Sequence, residues 1–500
     1  MAPVVRLPRR SGLLLHPTSL PGPFPCGDLG PASHEFVDFL AAAGQSLWQV
    51  LPLGPTGFGD SPYQCFSAFA GNPLLVSPER LADDGLLSRH DLGQLPARTE
   101  RACDFGRALE SSERVAARVS ERLAGHALAD DFEAFRARTV WLADYALFMA
   151  LREAHEHRPW NTWDAAIRGR EPEALATARR ALGGRVRTHE LMQWAFERHW
   201  QALREHARAR GVALLGDAPI FVAFDSADVW AAPGLFQLDA AGEPTAVAGV
   251  PPDYFSETGQ LWGNPLYRWE AHAADDHAWW CARLAAVTRT VDLVRLDHFI
   301  GFVRYWSVPP GSADARPGSW QPGPGAPLFR AIERALGGLP LVAEDLGETG
   351  ADVEALRDGL GLPGMRVLQF AFGGDDRNPF LPQHHVPHCV VYTGTHDNDT
   401  TAGWWAQARE PERRFVREVI GEGSGDIAWD LMAAGSASVA DTFVAPVQDV
   451  LSLGSEARLN TPGLASGNWT WRLSLGQLTP AHAERLHALA ATFSRLTRPA

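Results

Sequence analysis

Short apolar runs recur along the chain, and each ends in polar, glycine or proline residues. Continuous runs of Val, Leu and Ile of this length are typical of strands buried on both faces, as in a parallel sheet. Eight runs have this character, at residues 11–16, 47–52, 212–217, 291–297, 339–344, 365–372, 389–395 and 440–446. Because eight strands close a (β/α)8 barrel, the pattern predicts an α/β fold of the TIM-barrel type.

Amphipathic segments with helical spacing accompany these runs. They lie at residues 33–43, 328–337, 351–360, 411–420 and 480–496. Ser33 is predicted to cap the first of these helices, with Glu35 in its first turn. The alternation of strands and helices favours the α/β class over α+β.

The runs are unevenly spaced, which indicates insertions. We expect a single unit over residues 1–500, because barrels of this class commonly take about 250 residues and grow by insertion. The barrel is predicted from three segments, at about 1–55, 205–222 and 285–500. Between them we predict a helical insertion at 56–204 and an aromatic-rich insertion with an active-site loop at 223–284.

Two kinds of pattern distinguish these insertions. Apolar residues recur at helical intervals from Asp131 to Glu153 and again at 190–209, which predicts helices there. The stretches 249–269 and 309–327 are rich in Pro and Gly, and we expect them to form a loop layer above the barrel mouth with no regular core element. Long ordered loops in such a position are usually functional.

The net charge of the chain indicates which kinds of ligand it can bind. The formal net charge of −14 argues against nucleic acid and against an anionic membrane, since both favour a basic surface. We expect a neutral small molecule or a neutral polymer, and no obligate protein partner is evident. The apolar stretch near the start is cut short by His16 and Pro17, so we predict neither a signal peptide nor a spanning helix, and we expect a cytoplasmic protein.

The side-chain inventory removes several chemistries. The chain has no lysine, which excludes a pyridoxal-phosphate Schiff base, a lysine-dependent aldolase and a P-loop. The cysteines are odd in number and far apart, which favours reduced thiols over a disulfide framework. They are Cys26, Cys65, Cys103, Cys281 and Cys389. His384, His385 and His388 resemble a metal cluster, but their spacing favours a solvated loop, and we predict no metal site.

Three of the apolar runs lead into a carboxylate, at Asp297, Glu344 and Asp397. Barrel folds carry their chemistry at the carboxyl ends of strands, so three acids there suggest an active site. Arg295 lies on the same side of its strand as Asp297, and a nearby cation favours an ionised acid. Glu344 is expected to face the cavity with a raised pKa, which suits a proton donor, whereas the adjacent Asp345 points elsewhere.

Paired carboxylates are the groups that break glycosidic bonds. One attacks the sugar or activates water, and the other protonates the departing oxygen. The 18 tryptophans fit this chemistry because the C–H faces of sugars stack on aromatic rings, although most tryptophans in any protein belong to the core.

Long motifs then lead to a family. They are SGLLLHPTSLPGPFPCGDLG (11–30), SPYQ (61–64), GNPLLVSPERL (71–81), GDAPIFV (216–222), GVPPDYFSETGQLWGNPLY (249–267), RLDHFIGFVRYW (295–306), AEDLG (343–347), GTHDNDT (394–400) and VQDVLSLGSEARLNTPG (447–463). With these motifs the chain resembles, essentially end to end, the amylomaltases, also called 4-α-glucanotransferases or disproportionating enzymes, of the α-amylase clan.

The resemblance implies a retaining transglycosylase that needs no cofactor and acts on α-1,4-glucans and maltooligosaccharides. It implies that Asp297 is the nucleophile, Glu344 the general acid and base, and Asp397 the stabiliser of the transition state. The expected substrate-binding residues are Tyr63, Asp217, Arg295, His298, His396, Tyr254, Trp262 and Asn468.

Three alternatives stay open at this point. A plain α-1,4-glucan hydrolase would use the same carboxylates, because water and sugar can attack the same intermediate. A non-catalytic glucan-binding protein would need no matched acid and base. Structural ion pairs would explain the acids without any ligand. The retaining mechanism requires the carboxyls of Asp297 and Glu344 to lie roughly 5–5.5 Å apart.

Overall fold

The computed structural model describes residues 7–98, 102–252, 256–347 and 350–497. These residues contain twelve β-strands: β1 Arg10–Leu14, β2 Leu47–Gln49, β3 Ala213–Ala218, β4 Val247–Val250, β5 Gln260–Pro265, β6 Leu293–Leu296, β7 Arg304–Val308, β8 Ser319–Pro322, β9 Leu341–Ala343, β10 Gly364–Val367, β11 Cys389–Tyr392 and β12 Thr442–Pro446.

The α-helices surround these strands. They are α1 Pro31–Ala42, α2 Pro78–Asp83, α3 Arg89–Gly93, α4 Phe105–Leu123, α5 Ala129–Arg138, α6 Leu142–Ala154, α7 Ala165–Arg168, α8 Pro172–Ala181, α9 Gly183–Ala209, α10 Ala227–Ala231, α11 Trp269–Ala274, α12 Ala278–Thr290, α13 Gly325–Leu336, α14 Ala351–Gly359, α15 Thr401–Gln407, α16 Glu410–Ile420, α17 Ile427–Ala437, α18 Val447–Val450 and α19 Pro480–Thr492.

Eight of the strands form a parallel sheet in the order β10-β11-β12-β1-β2-β3-β6-β9. The two outer strands are joined where Ala343 N donates to Pro363 O at 2.9 Å. Beside this bond the Asp345 carboxylate accepts from Met365 N at 2.7 Å, so a side chain completes the seam. The sheet is therefore nearly closed into a barrel. The predicted fold class is confirmed, and each of the eight predicted runs overlaps one of these strands.

Alternate residues of the barrel strands face two different cores. Leu14, Leu47, Leu215, Val342 and Val444 pack together inside the barrel. Their neighbours Leu13, Trp48, Leu214, Leu341 and Phe443 pack outwards with the helices. Burying each such side chain contributes about 1.5–3 kcal/mol, which explains why these short strands read as continuous apolar runs.

A second sheet corrects the prediction of a loop layer. Strands β5, β4, β7 and β8 form an antiparallel sheet in that order. Strands β5 and β8 and the end of β4 fall in stretches expected to lack regular elements. The strands are only four to six residues long, and glycine interrupts the alternation of β4 and β5. Gly249 allows β4 and β5 to approach closely, since a Cβ there would lie 2.5 Å from Gln260 O.

The helix predictions hold in position but differ at their ends. The first helix begins at Pro31 after Gly30, and Ser33 lies inside it, where its hydroxyl donates to Gly30 O at 2.7 Å. Ser33 is therefore not the cap, because proline already fixes the first turn. The segment from Asp131 to Glu153 is divided between α5 and α6. The boundaries of the insertions at 56–204 and 223–284 stay predictions.

The cysteine prediction is wrong for one pair. Cys26 and Cys103 form a disulfide, with Cα atoms 4.6 Å apart, whereas Cys65, Cys281 and Cys389 are free thiols. A separation of 77 residues gives no local signal, because only the fold brings the two segments together. Within the described part of the chain, no helix combines the length and apolar composition needed to cross a membrane.

Candidate active site

Arg295 joins two carboxylates at the carboxyl ends of β3 and β6. The register pairs Asp217 with Arg295, and Arg295 Nη1 lies 2.7 Å from Asp217 Oδ2 and 2.9 Å from Asp297 Oδ1. The Asp217 side chain is fully buried, whereas that of Asp297 is 27% exposed. Burial raises the pKa of Asp217 to about 6, with Arg295 opposing this shift and Asp297 adding to it. Asp297 is thus the member of this trio that a substrate can reach.

Glu344 lies at the same level on the neighbouring strand. The register pairs Leu296 with Ala343, so Asp297 and Glu344 follow on adjacent strands and point to the same side. The Glu344 carboxylate accepts from His298 N at 2.7 Å and from Leu346 N at 3.0 Å. Burial raises the pKa of Glu344 to about 8; Arg295 lowers it and the Asp297 charge raises it. Glu344 can therefore hold a proton near neutral pH.

Asp345 points away from this cavity, as predicted. Its buried carboxylate pairs with Arg357, lies 3.5 Å from Arg366 and accepts from Met365 N. These partners are at the barrel seam, so Asp345 stabilises the fold. The longer Glu344 is the residue of this pair that faces the site.

Tyr63 lies between the buried Asp217 and the ring of His396. Its hydroxyl donates to Asp217 Oδ2 at 2.9 Å, and its ring stacks on that of His396 with centroids 5.0 Å apart. Trp469 packs against both rings, with centroids 5.9 Å from each. The prediction from sequence included Tyr63 and His396 but missed Trp469, which comes from a distant segment.

Asp397 is held by residues that were also missed. Asn460 Nδ2 donates to Asp397 Oδ1 at 2.6 Å, and Arg458 Nη2 donates to its backbone carbonyl at 2.6 Å. His396 Nε2 lies 3.4 Å from the same carboxylate, whose side chain is 46% exposed. Arg458 and Asn460 belong to the motif at 447–463, which was a signal that could have identified them.

Trp262 and His298 pack against each other next to Asp297 and form one wall of the site. Their rings meet edge to face with centroids 4.7 Å apart. His298 adopts a left-handed backbone with φ of 53°, and no described residue is a hydrogen-bond partner of its Nε2. Burial lowers the pKa of His298 to about 4, so the imidazole next to Asp297 is neutral.

Asn468 has partners in its own loop. Its Oδ1 accepts from Thr461 N at 2.9 Å, and its Nδ2 donates to Leu464 O at 3.0 Å. It also lines a cavity of about 460 Å³ together with Arg458 and Asp399. Tyr254 lies outside the described residues.

The histidines of the 384–388 segment do not meet the site. His385 is buried, bonds to Ser438 Oγ at 2.7 Å and to Phe380 O at 2.9 Å, and so is not in a solvated loop. His384 is exposed, in line with the prediction. His388 bonds to Gly361 O at 3.0 Å. Among the described residues, no group of three or more His, Cys, Asp or Glu could hold a metal ion.

The fold and the site together define a class of enzyme. A parallel barrel with two carboxyls at one level of adjacent strand ends, and a third acid nearby, is the arrangement of enzymes that act on glycosidic bonds. The family model described as 4-alpha-glucanotransferase matches residues 15–478, and the chain belongs to that family. The protein is an enzyme, and its activity is the transfer of α-1,4-glucan segments.

Relatives support this assignment over the full chain. The sequence is 50% identical to a 4-alpha-glucanotransferase of Thermus thermophilus, covering 98% of this chain and 100% of the relative. It is 48% identical to one of Synechocystis sp., covering 97% and 98%. The solved structure of an amylomaltase from Streptococcus agalactiae in complex with acarbose has a TM-score of 0.95 at 36% identity, covering 97% of this chain and 99% of that one. The predicted family and fold are confirmed.

Proposed function

We propose that this enzyme is a retaining transglycosylase that works through a covalent β-glucosyl-enzyme on Asp297. The observation that carries the proposal is the contrast between two acids on adjacent strands. Asp297 lies beside the Arg295 guanidinium, whereas Glu344 has a pKa of about 8. Adjacent strands lie about 4.8 Å apart, which suits the roughly 5–5.5 Å carboxyl separation of retaining enzymes.

In the first step, an Asp297 carboxylate oxygen forms a bond to the anomeric carbon of the donor glucan. The bond from that carbon to the glycosidic oxygen breaks, and Glu344 gives its proton to the departing oxygen. The leaving fragment departs as an alcohol, and Glu344 becomes a carboxylate. Arg295 counters the charge of Asp297 before the bond forms, and it stays paired with Asp217 afterwards.

In the second step, Glu344 takes the proton from the 4-hydroxyl of an acceptor glucan. The acceptor oxygen attacks the anomeric carbon, the bond to Asp297 breaks, and the α configuration is restored by the second inversion. The hydrogen bonds from His298 N and Leu346 N stabilise the carboxylate form of Glu344 at this stage. The same residue thus serves as acid and then as base.

The remaining predicted residues have roles as binding groups. Asp397, oriented by Asn460, holds the hydroxyls of the sugar at the reacting centre, and His396 contributes a further polar group. Tyr63 positions Asp217 and forms one side of the sugar site. We place the sugars that follow Asp397 in the cavity lined by Arg458, and a direct contact of Asn468 with substrate stays a prediction.

Transfer has to outcompete hydrolysis, which is the alternative outcome of the same chemistry. Trp262 and His298 form a rigid wall next to Asp297 that can hold an acceptor sugar and exclude water. Positioned groups reach effective molarities of about 10⁵ M or more, far above that of water. The α-1,4-glucans and maltooligosaccharides are therefore both donors and acceptors.

Maltotriose provides the test. The wild type should produce a ladder of longer maltooligosaccharides plus glucose, whereas maltose and glucose alone would indicate a hydrolase. Asp297→Asn should lose the ladder while still binding maltotriose in calorimetry. Lost binding together with a lower melting temperature would instead assign Asp297 to a structural ion pair. Trp262→Ala should raise free glucose relative to the ladder, and unchanged partitioning would remove Trp262 from the acceptor wall.

A further inference from the structure

Trp320 differs from every other tryptophan of the chain. All 18 tryptophans lie in the described residues, and Trp320 alone is exposed, with 40% of its surface accessible. It lies on β8, one of the two outer strands of the antiparallel sheet. A large flat ring on an outer strand loses hydrophobic stabilisation unless something covers it.

Two neighbours fix the orientation of this ring. Trp306 is paired with Trp320 across β7 and β8, and their rings meet edge to face with centroids 5.3 Å apart. The Arg304 guanidinium lies 5.2 Å from the Trp320 centroid and is itself paired with Asp352. We call these three residues, Arg304, Trp306 and Trp320, the Trp320 platform. The platform is an aromatic surface in which the Arg304 guanidinium lies over the Trp320 ring and Trp306 packs edge to face against it, so the sugar must use the part of the Trp320 ring that these two residues leave exposed.

The size of the exposed surface indicates which ligand it fits. An aromatic side chain has about 150–250 Å² of surface to bury, so the exposed part of Trp320, at 40%, amounts to roughly 60–100 Å². A stable protein interface needs about 800 Å² from each partner. The residues next to Trp320 on β8, Ser319 and Gln321, are polar, so the apolar surface does not extend along the strand. One ring with polar surroundings matches the C–H face of a single sugar and not a protein interface.

The platform is connected to the catalytic end of the barrel. Arg304 follows Asp297 by seven residues, and its partner Asp352 lies in the first turn of α14, the helix that follows Glu344 along the chain. A long glucan that leaves the cleft is therefore a ligand already supplied by the activity of this enzyme. From these relationships we infer that the Trp320 platform is a second binding site for α-glucan chains, outside the catalytic cleft. The inference rests on glucans as substrates and adds a site that retains long chains.

Native gel electrophoresis in the presence of linear amylose tests the site. The comparison is made in the Asp297→Asn background, with and without Trp320→Ala, Trp320→Phe and the control Val140→Ala, which removes another exposed apolar side chain. Trp320→Ala should weaken retardation by amylose about fivefold or more, as truncation of an aromatic contact residue does. Trp320→Phe, which keeps a flat ring, and Val140→Ala should both stay close to the parent.

Activity on maltotriose separates this site from the cleft. With otherwise wild-type protein, Trp320→Ala should disproportionate maltotriose within about twofold of the parent, since a short substrate does not need a distant contact. Unchanged amylose retardation would overturn the inference, as would an equal loss of maltotriose activity. A dimer in light scattering that Trp320→Ala dissociates would show that a second copy covers the platform. If Asp297→Asn keeps its maltotriose activity, Asp297 is not the nucleophile and the proposed function is wrong. The gel comparison would still show whether the Trp320 platform binds amylose.

Discussion

Arg295 Nη1 lies 2.9 Å from Asp297 Oδ1. The same nitrogen lies 2.7 Å from the buried Asp217, so one guanidinium stands between two acids and attracts both. The arrangement places a cation next to Asp297 at the point where the substrate arrives. The burial of Arg295 and Asp217 makes it a stable part of the fold as well.

Replacing Arg295 with Met should therefore affect activity and stability together. We expect kcat on maltotriose to fall by about 100-fold or more, because an electrostatic partner of the reacting group is lost. Breaking a buried pair leaves Asp217 uncompensated and costs about 3–5 kcal/mol of unfolding free energy. Arg334→Gln, which removes the exposed pair with Asp276, is the control and should leave both the melting temperature and the activity unchanged. A fully active Arg295→Met enzyme would contradict the role of this cation.

The pH profile should report the raised pKa of Glu344. The first step needs the protonated acid, so kcat/KM for maltotriose should fall as pH rises through about 8, the pKa of Glu344 before substrate binds. An ordinary glutamic acid, with a pKa of 4.5, would lose its proton more than three pH units earlier. Initial rates between pH 5 and 10 measure the alkaline limb. A limb near 5, or an unchanged limb in Glu344→Gln, would exclude Glu344 as the general acid.

Asn460 should act as a positioning residue, because it orients Asp397 and does not itself contact the glycosidic bond that breaks. Asn460→Ala removes the 2.6 Å hydrogen bond to Asp397 Oδ1 and frees that carboxylate to rotate. We expect kcat to fall by about tenfold to 100-fold while the melting temperature changes little. Asn161→Ala removes an exposed hydrogen bond of the same length, which Asn161 Nδ2 donates to Glu243 Oε1, and should have no effect on kcat. Equal activity of the two variants would show that Asp397 needs no such support.

The disulfide should contribute to thermal stability and to the position of Trp469. Cys103 N donates to Thr470 O at 2.7 Å, next to the tryptophan that packs on Tyr63 and His396. Removing a disulfide typically costs about 2–5 kcal/mol, so reduction should lower the melting temperature clearly. A matched Cys26→Ser and Cys103→Ser double variant should melt low with or without reductant. Reductant that leaves the wild-type melting curve unchanged would contradict this expectation.

The parts of the fold that sequence predicted share one physical feature. Barrel strands are buried on both faces, so each appears as an apolar run, and the acids at their ends follow directly from that reading. Asp217, Arg295, Asp297 and Glu344 lie together because parallel strands in register place their ends at one level.

The parts that sequence missed depend on contacts between distant segments. The β5-β4-β7-β8 sheet has short strands with exposed positions, so it leaves no apolar run to detect. Cys26 meets Cys103, and Asn460 meets Asp397, only after the chain has folded. His385 is buried by the fold, although the spacing of the three histidines had suggested a solvated loop.

Trapping the glucosyl-enzyme tests the central claim most directly. Glu344→Gln, given an activated α-glucosyl fluoride, needs no acid for the first step but lacks the base for the second, so the intermediate should accumulate. Mass spectrometry of the digested protein should then show one added glucosyl group on the peptide that carries Asp297. An unlabelled enzyme that still turns over the fluoride, or a label on another residue, would contradict a covalent intermediate on Asp297.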